Sequence, residues 1–157
     1  MKVEWINPFL GAAEEIFGTY GLDFKRGAVS IHNGPMLGNE VNVAIGITGD
    51  LRGQFILSVS KRDVVSITST VMSWSIQDFD EMARSCIAET VNMLAGRAAI
   101  RLEQYGLSTD VSVPSVITGS DVTVFPNGLQ SLIIPFGLYD AMQQTGSGVF
   151  SLTVKAK

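Results

Sequence analysis

"DFDEMARSCIAETVNMLAGRAAIRLEQYG", residues 78–106, decides how the rest of the chain is read. Asp78 and Glu81 form a capping-box-like pair at its start, and Gly106 suits a helix stop at its end. At about 100° per residue, Phe79, Ala83, Cys86, Ile87, Thr90, Val91, Leu94 and Ala98 fall on one broad face. Ser85, Glu89, Asn92, Gly96 and Glu103 gather on the opposite side, with Glu89 and Asn92 as i,i+3 neighbours. Periodicity alone reads that stripe as a solvated face. Two of its residues cost the helix something, however: Asn has poor propensity in mid-helix, and Gly96 costs about 1 kcal/mol against Ala. A bare backbone at Gly96 would let another surface come close.

Working outward, "WINPFLGAAEEIFGTYGL" (residues 5–22) reads as a second helix. Asn7 is its expected N-cap, Pro8 its first helical residue and Gly21 its stop. "NVAIGIT" and "QFILSVS" flank the glycine-bracketed turn "GDLRG" and predict a hairpin. "KRDVVSITSTVMSW" is poor in helix formers, but its apolar spacing (Val64, Ile67, Val71, Trp74) favours a shorter helix. "AVSIH", "VSVPSVITG", "VTVF", "LQSLIIPFGLY" and "GVFSLTVKAK" are strand-like. Pro135 suits an edge or a bulge better than a central strand. In the last strand Phe150, Leu152, Val154 and Ala156 take one face and Ser151, Thr153, Lys155 and Lys157 the other. The strands are too closely spaced for repeated crossovers. The expected fold is mixed α/β (α+β), a largely antiparallel sheet packed with two long helices and a shorter one, in a single domain over residues 1–157.

With 46% apolar and 17% charged residues the chain can bury a core. Its net charge of −4, with no basic block, argues against nucleic acid and anionic membrane surfaces as partners. No apolar run approaches the ~20 residues of a membrane span, and "MKVEWINPFLG" lacks the apolar core of an export signal, so the cytoplasm is the expected location. One cysteine, Cys86, excludes an internal disulfide, and one histidine, His32, excludes a His-rich metal site. Asp78, Asp80 and Glu81 are ordinary first-turn acids complementing a helix dipole. "GITGDLRG" lacks the Lys-Ser/Thr of a phosphate loop and reads as a hairpin turn. Glu14 and Glu15 read as surface acids.

The stretch from Ser85 to Gly96 resembles the signature of the CheC/CheX/FliY family of chemotaxis phosphatases: an acidic residue or Ser, then three residues, Glu, two residues and Asn, with a proline about twenty residues later. Here these are Ser85, Glu89, Asn92 and Pro114. "INPFLGAAEEIF" resembles the family's first helix, "AIGITGDLRGQFILS" its glycine-rich hairpin and "VSVPSVITGSD" the segment after the long helix, and the single-motif layout is CheX-like. The resemblance implies a CheC-like fold and hydrolysis of the aspartyl phosphate on a CheY-like response regulator. It assigns Asn92 to positioning the attacking water and Glu89 to pairing with the regulator's lysine, with Ser85 and Gly96 as contact residues. It implies no cofactor of this chain's own, the Mg²⁺ belonging to the regulator, and a homodimer. A non-catalytic docking module for a receiver domain is the alternative. Members with two motifs carry a second Glu-x-x-Asn on the first helix. At "EEIFG" here, Gly18 follows Glu15 by three with no amide, so that site is expected to be missing.

Overall fold

In the computed structural model, which describes residues 1–141 and 143–157, the long amphipathic stretch is helix α3 (Glu81–Glu103). Its cap is Asp80 and not Asp78. The residue immediately before the helix is extended, and the Asp80 carboxylate accepts from the Ala83 N–H at 2.9 Å. Helix α1 (Asn7–Gly18) corrects a second expectation. A 3-10 turn, Val3–Ile6, runs straight into it, so Asn7 is already helical (φ −58°, ψ −41°) and caps nothing. The segment poor in helix formers is helix α2 (Lys61–Met72), capped by Ser60 through the Asp63 N–H.

The strands are β1 (Asp23–Arg26), β2 (Ser30–Asn33), β3 (Met36–Leu37), β4 (Val41–Gly49), β5 (Leu51–Val59), β6 (Thr109–Val111), β7 (Ser115–Thr118), β8 (Thr123–Val124), β9 (Gln130–Asp140) and β10 (Gln143–Ala156). Every ladder among them is antiparallel. The main sheet runs β1-β9-β10-β5-β4-β6, with β2 continuing along the β9 edge and β7 along the β4 edge. Strands β3 and β8 form a separate ribbon. The expected fold class holds, with α1 shorter than α3.

The helices cover one face of the sheet. There the rings of Phe9 and Phe55 stack at 4.7 Å and those of Phe136 and Phe150 at 4.4 Å, offset-stacking distances within a core of aliphatic side chains. Phe150, Leu152 and Val154 of β10 join this core as the alternation predicts. Ser151 and Thr153, on the other face, are also buried, at 8% and 2% exposure. The β3–β8 ribbon lies against that side, with Met36 Sδ at 3.9 Å from Ser151 Oγ. Thr153 is satisfied by a 2.6 Å hydroxyl pair with Ser131, as a buried polar group must be.

Pro135 sits inside the sheet, on β9. Its carbonyl accepts from the Gly27 N–H at 2.6 Å, so its missing N–H faces the interval between β1 and β2, where no strand asks for a donor.

The topology repeats itself. The run α1-β1-β2-β3-β4-β5 is followed, after α2, by α3-β6-β7-β8-β9-β10. β1 and β2 pair with β9 as β6 and β7 pair with β4; β4 pairs with β5 as β9 pairs with β10. β5 pairs with β10 and β3 with β8, each an element with its own counterpart. The Gly27 N–H to Pro135 O bond has its equivalent in Ser112 N–H to Gly46 O. The molecule is therefore pseudo-two-fold, with α2 joining the two halves.

Candidate functional site

Helix α3 buries Ala83, Ile87, Val91, Leu94 and Ala98 and leaves the opposite stripe outward. Ser85 and Glu89 are exposed, and Asn92 and Gly96 are half-buried. The predicted quartet is thus together on one face. A Cβ built at Gly96 would meet nothing within 4 Å, so the helix backbone is bare there. Among the described residues neither the Glu89 carboxylate nor the Asn92 amide makes a hydrogen bond or ion pair inside the chain. Both are left to meet something else.

A cleft of about 340 Å³ opens beside the stripe, between α3, α2 and the end of α1. Ser85 and Glu89 reach its rim, and Tyr20, Met72, Met82 and Met93 supply most of its apolar wall. Sequence periodicity did not gather these residues into one wall, because Met72 lies on α2, Met82 and Met93 on α3, and Tyr20 in the turn after α1. Thr90 returns its hydroxyl to the Cys86 carbonyl at 2.8 Å, which keeps it out of the cleft's polar chemistry. Arg84 donates to the Val116 carbonyl at 2.9 Å and ties the first turns of α3 to β7, just past Pro114. A larger cavity, about 610 Å³, lies on the other face of the sheet under the β3–β8 ribbon and contains no residue of the quartet. Among the described residues no three His, Cys, Asp or Glu side chains gather as a metal site.

Glu15 is more than a surface acid. It bridges α1 to α3, with Arg101 Nη2 at 2.9 Å and Arg97 Nε at 3.6 Å. The hydrogen bond from Arg101, helped by the charges of both guanidiniums, holds its carboxyl below the usual carboxylate range.

A family model described as "Chemotaxis phosphatase CheX" matches residues 41–137. The chain belongs to the CheX family. A curated relative, the CheY-P phosphatase CheX of Thermotoga maritima, is 31% identical over 126 residues, covering 79% of this chain and 81% of the relative. The chemotaxis protein CheX of Desulfovibrio desulfuricans shares the fold at a TM-score of 0.83 and 22% identity, covering 99% of this chain and 100% of that one. So does the CheX–CheY–BeF₃–Mg²⁺ complex of Borrelia burgdorferi, at 0.77 and 23%, covering 98% and 99%.

In this CheX-family chain the pseudo-two-fold also corrects where a first-helix motif should be sought. Helices α1 and α3 stop in the same way. Leu22 N–H bonds Phe17 O and Gly21 N–H bonds Gly18 O; Leu107 N–H bonds Leu102 O and Gly106 N–H bonds Glu103 O. Gly21 and Gly106 take φ of 76° and 75° in these Schellman stops. Superposing "TYGL" on "QYGL" lays Glu15 over Ile100, and it lays Glu4 and Asn7 over Glu89 and Asn92. The expectation that the position equivalent to Glu89 lies in "EEIFG" was misplaced by three helical turns.

Proposed function

We propose that this chain is a phosphatase that accelerates hydrolysis of the aspartyl phosphate on a CheY-like response regulator, with its active face on α3. The observation that carries this is the pairing of Glu89 with Asn92, both without a partner among the described residues, one turn before a bare Gly96. The Thermotoga relative is named for this activity. The Borrelia neighbour is a complex with CheY, BeF₃ and Mg²⁺, in which BeF₃ stands in for the phosphoryl group.

Hydrolysis of an acyl phosphate needs a water held in line with the leaving carboxylate oxygen and stabilisation of the charge on the phosphoryl oxygens. The water oxygen bonds phosphorus, the P–O bond to the aspartate breaks, the carboxylate leaves, and the proton ends on inorganic phosphate. The Asn92 amide suits this work: its oxygen accepts from the water while its NH₂ donates to a phosphoryl oxygen. Glu89 pairs with the regulator's lysine and sets the register of the docked partner. Gly96 and Ser85 are contact positions, and the apolar cleft beside Glu89 receives a side chain of the regulator. The Mg²⁺ stays with the regulator. The cytoplasm, where such a regulator is phosphorylated, is the proposed location; among the described residues no helix is long and apolar enough to cross a membrane.

Two copies of the chain are proposed to pair through strands, leaving the Glu89–Asn92 faces open. Leu37 on the β3–β8 ribbon and Phe125 beside it, 82% and 65% exposed, are the apolar side chains such a contact would cover. Light scattering giving a 16.9 kDa species at micromolar concentration would overturn the pairing. The phosphatase reading is tested by the decay of an acetyl-phosphate-labelled regulator from the same organism, with and without the chain. Faster decay is expected. Binding without faster decay would favour a docking module instead.

A further inference from the structure

We propose that the end of α2 selects the partner: Met72 and Trp74, with Met82 of α3, form an anchor site beside Glu89 for a large apolar side chain of the regulator. This rests on the reading of Glu89 and Asn92 given above and adds the residues that set specificity and not chemistry.

The chain has two tryptophans, and they are placed in opposite ways. Trp5 is 9% exposed and belongs to the core, whereas Trp74 is 66% exposed. Among the described residues the Trp74 indole N–H donates to nothing in the chain, and its ring makes no aromatic or cation–π contact. A large apolar ring left in water forgoes the burial that would stabilise it. Tryptophan so placed is enriched among the residues that dominate binding energy at interfaces.

The backbone around Trp74 is held in place. Ser73 ends α2 in the left-handed region, at φ 51°, where glycine is the usual residue. The Trp74 N–H then donates to the Ser69 carbonyl at 3.1 Å, and the Ile76 N–H to the Ser69 hydroxyl, also at 3.1 Å. Ser69 thus grips the chain on both sides of Trp74, while Ile76 and Phe79 pack against the core. An anchor presented on a fixed turn loses little freedom when it binds, which favours affinity.

The surroundings say what would cover it. Met72, two residues before Trp74, is the last residue of α2 and a wall of the 340 Å³ cleft beside Glu89. Met82 and Met93 line the same cleft, and methionine adapts its shape to an incoming apolar group. Glu89 is the only charged residue in that lining. The occupant is therefore an apolar side chain standing beside a cation, which matches a regulator surface that carries its lysine to Glu89. An acidic occupant would meet the Glu89 carboxylate. Asn92 does not line the cleft, so the anchor acts on binding and leaves the placing of water to the amide. Leu37 and Phe125 belong to the ribbon on the opposite side of the sheet, so pairing of two copies there leaves Trp74 free.

The test reads binding and turnover separately on the phosphorylated regulator from the same organism. Trp74→Ala is expected to raise KM about tenfold or more and to change kcat less than twofold. Trp74→Phe should recover most of the loss, and Met72→Ser should raise KM about threefold. Melting temperatures check that each variant is folded. Incorporation of 5-fluorotryptophan gives the chain two ¹⁹F resonances, assigned with Trp74→Phe. Unlabelled regulator activated by beryllofluoride and Mg²⁺ should shift the Trp74 resonance and leave that of Trp5 in place. Normal acceleration by Trp74→Ala at unchanged KM, with an unmoved Trp74 resonance, overturns the anchor site and leaves the phosphatase reading standing. A shifted Trp74 resonance in a wild-type chain that does not accelerate decay supports the anchor and removes the phosphatase reading.

Discussion

Helices α1 and α3 end in the same stop and bury the same side, yet they present different surroundings to a partner. Before Glu89, α3 has two turns of its own helix, and beside it α2 and Tyr20 raise an apolar wall. Beside Gly11, on α1, stands instead a guanidinium held by Glu15. The same pair of polar side chains can therefore sit in equivalent positions and still differ in what docks on them.

The sharpest way to separate chemistry from docking is Asn92→Ala. It should slow dephosphorylation by roughly 10² or more while leaving the fold intact, because Ala is the better helix former. Single-turnover decay of the labelled regulator reads this directly. Glu89→Ala comes next, with a fall of about tenfold in kcat/KM that includes weaker binding, since a charge at a contact's edge acts on register and affinity. A titration series that moves kcat alone and leaves KM unchanged would break the distinction between the two residues.

A smaller effect tests the likeness of the helices. Gly21→Ala and Gly106→Ala each force a Cβ into the left-handed region and should cost about 1–2 kcal/mol apiece. Urea melts should give similar losses for the two. A loss at one stop only would show that the two ends carry unequal loads.

The smallest effect tests the difference between the helices. Glu15→Ala should leave turnover at the wild-type level. The Glu15 carboxyl is held below its ordinary value chiefly by the Arg101 hydrogen bond, so the stability it adds is present above the ordinary carboxylate range and is lost as pH falls through its lowered pKa. Melting temperatures of wild type and Glu15→Ala should accordingly differ slightly at pH 7 and converge towards pH 3. The pair is solvent-exposed, so added salt should narrow the gap as well.

Much of the α3 half could be read in the sequence because its signals are local. The apolar period, the mid-helix Asn and the glycine one turn on all lie within one segment, and so does the "GDLRG" turn between β4 and β5. The Glu4–Asn7 pair is as local as the α3 pair, but Asn7-Pro8 imitates a helix start. That reading assigned the amide to capping and drew attention to Glu15 instead. The equivalence of the halves was hidden for a different reason. The spacing between corresponding residues shifts from the helices to β4 and β9, so the repeat holds within segments and not along the chain. Burial of Ser151 and Thr153 was illegible because the element that covers them is a ribbon of two very short strands far apart in sequence.

The exchange of edge strands has a consequence for how the chain reaches this state. β1 and β2 from the first half complete the ladder of β9, and β6 and β7 from the second half complete that of β4. Neither half closes its own sheet, and the central β5–β10 ladder is shared. Such pairings join residues far apart in sequence, and loop entropy must be met before they form. The two halves are thus mutual templates: a nascent chain holding only the first has an open β4 edge and no β10 to lie against β5. The complete sheet can therefore form only once β9 and β10 have been synthesised.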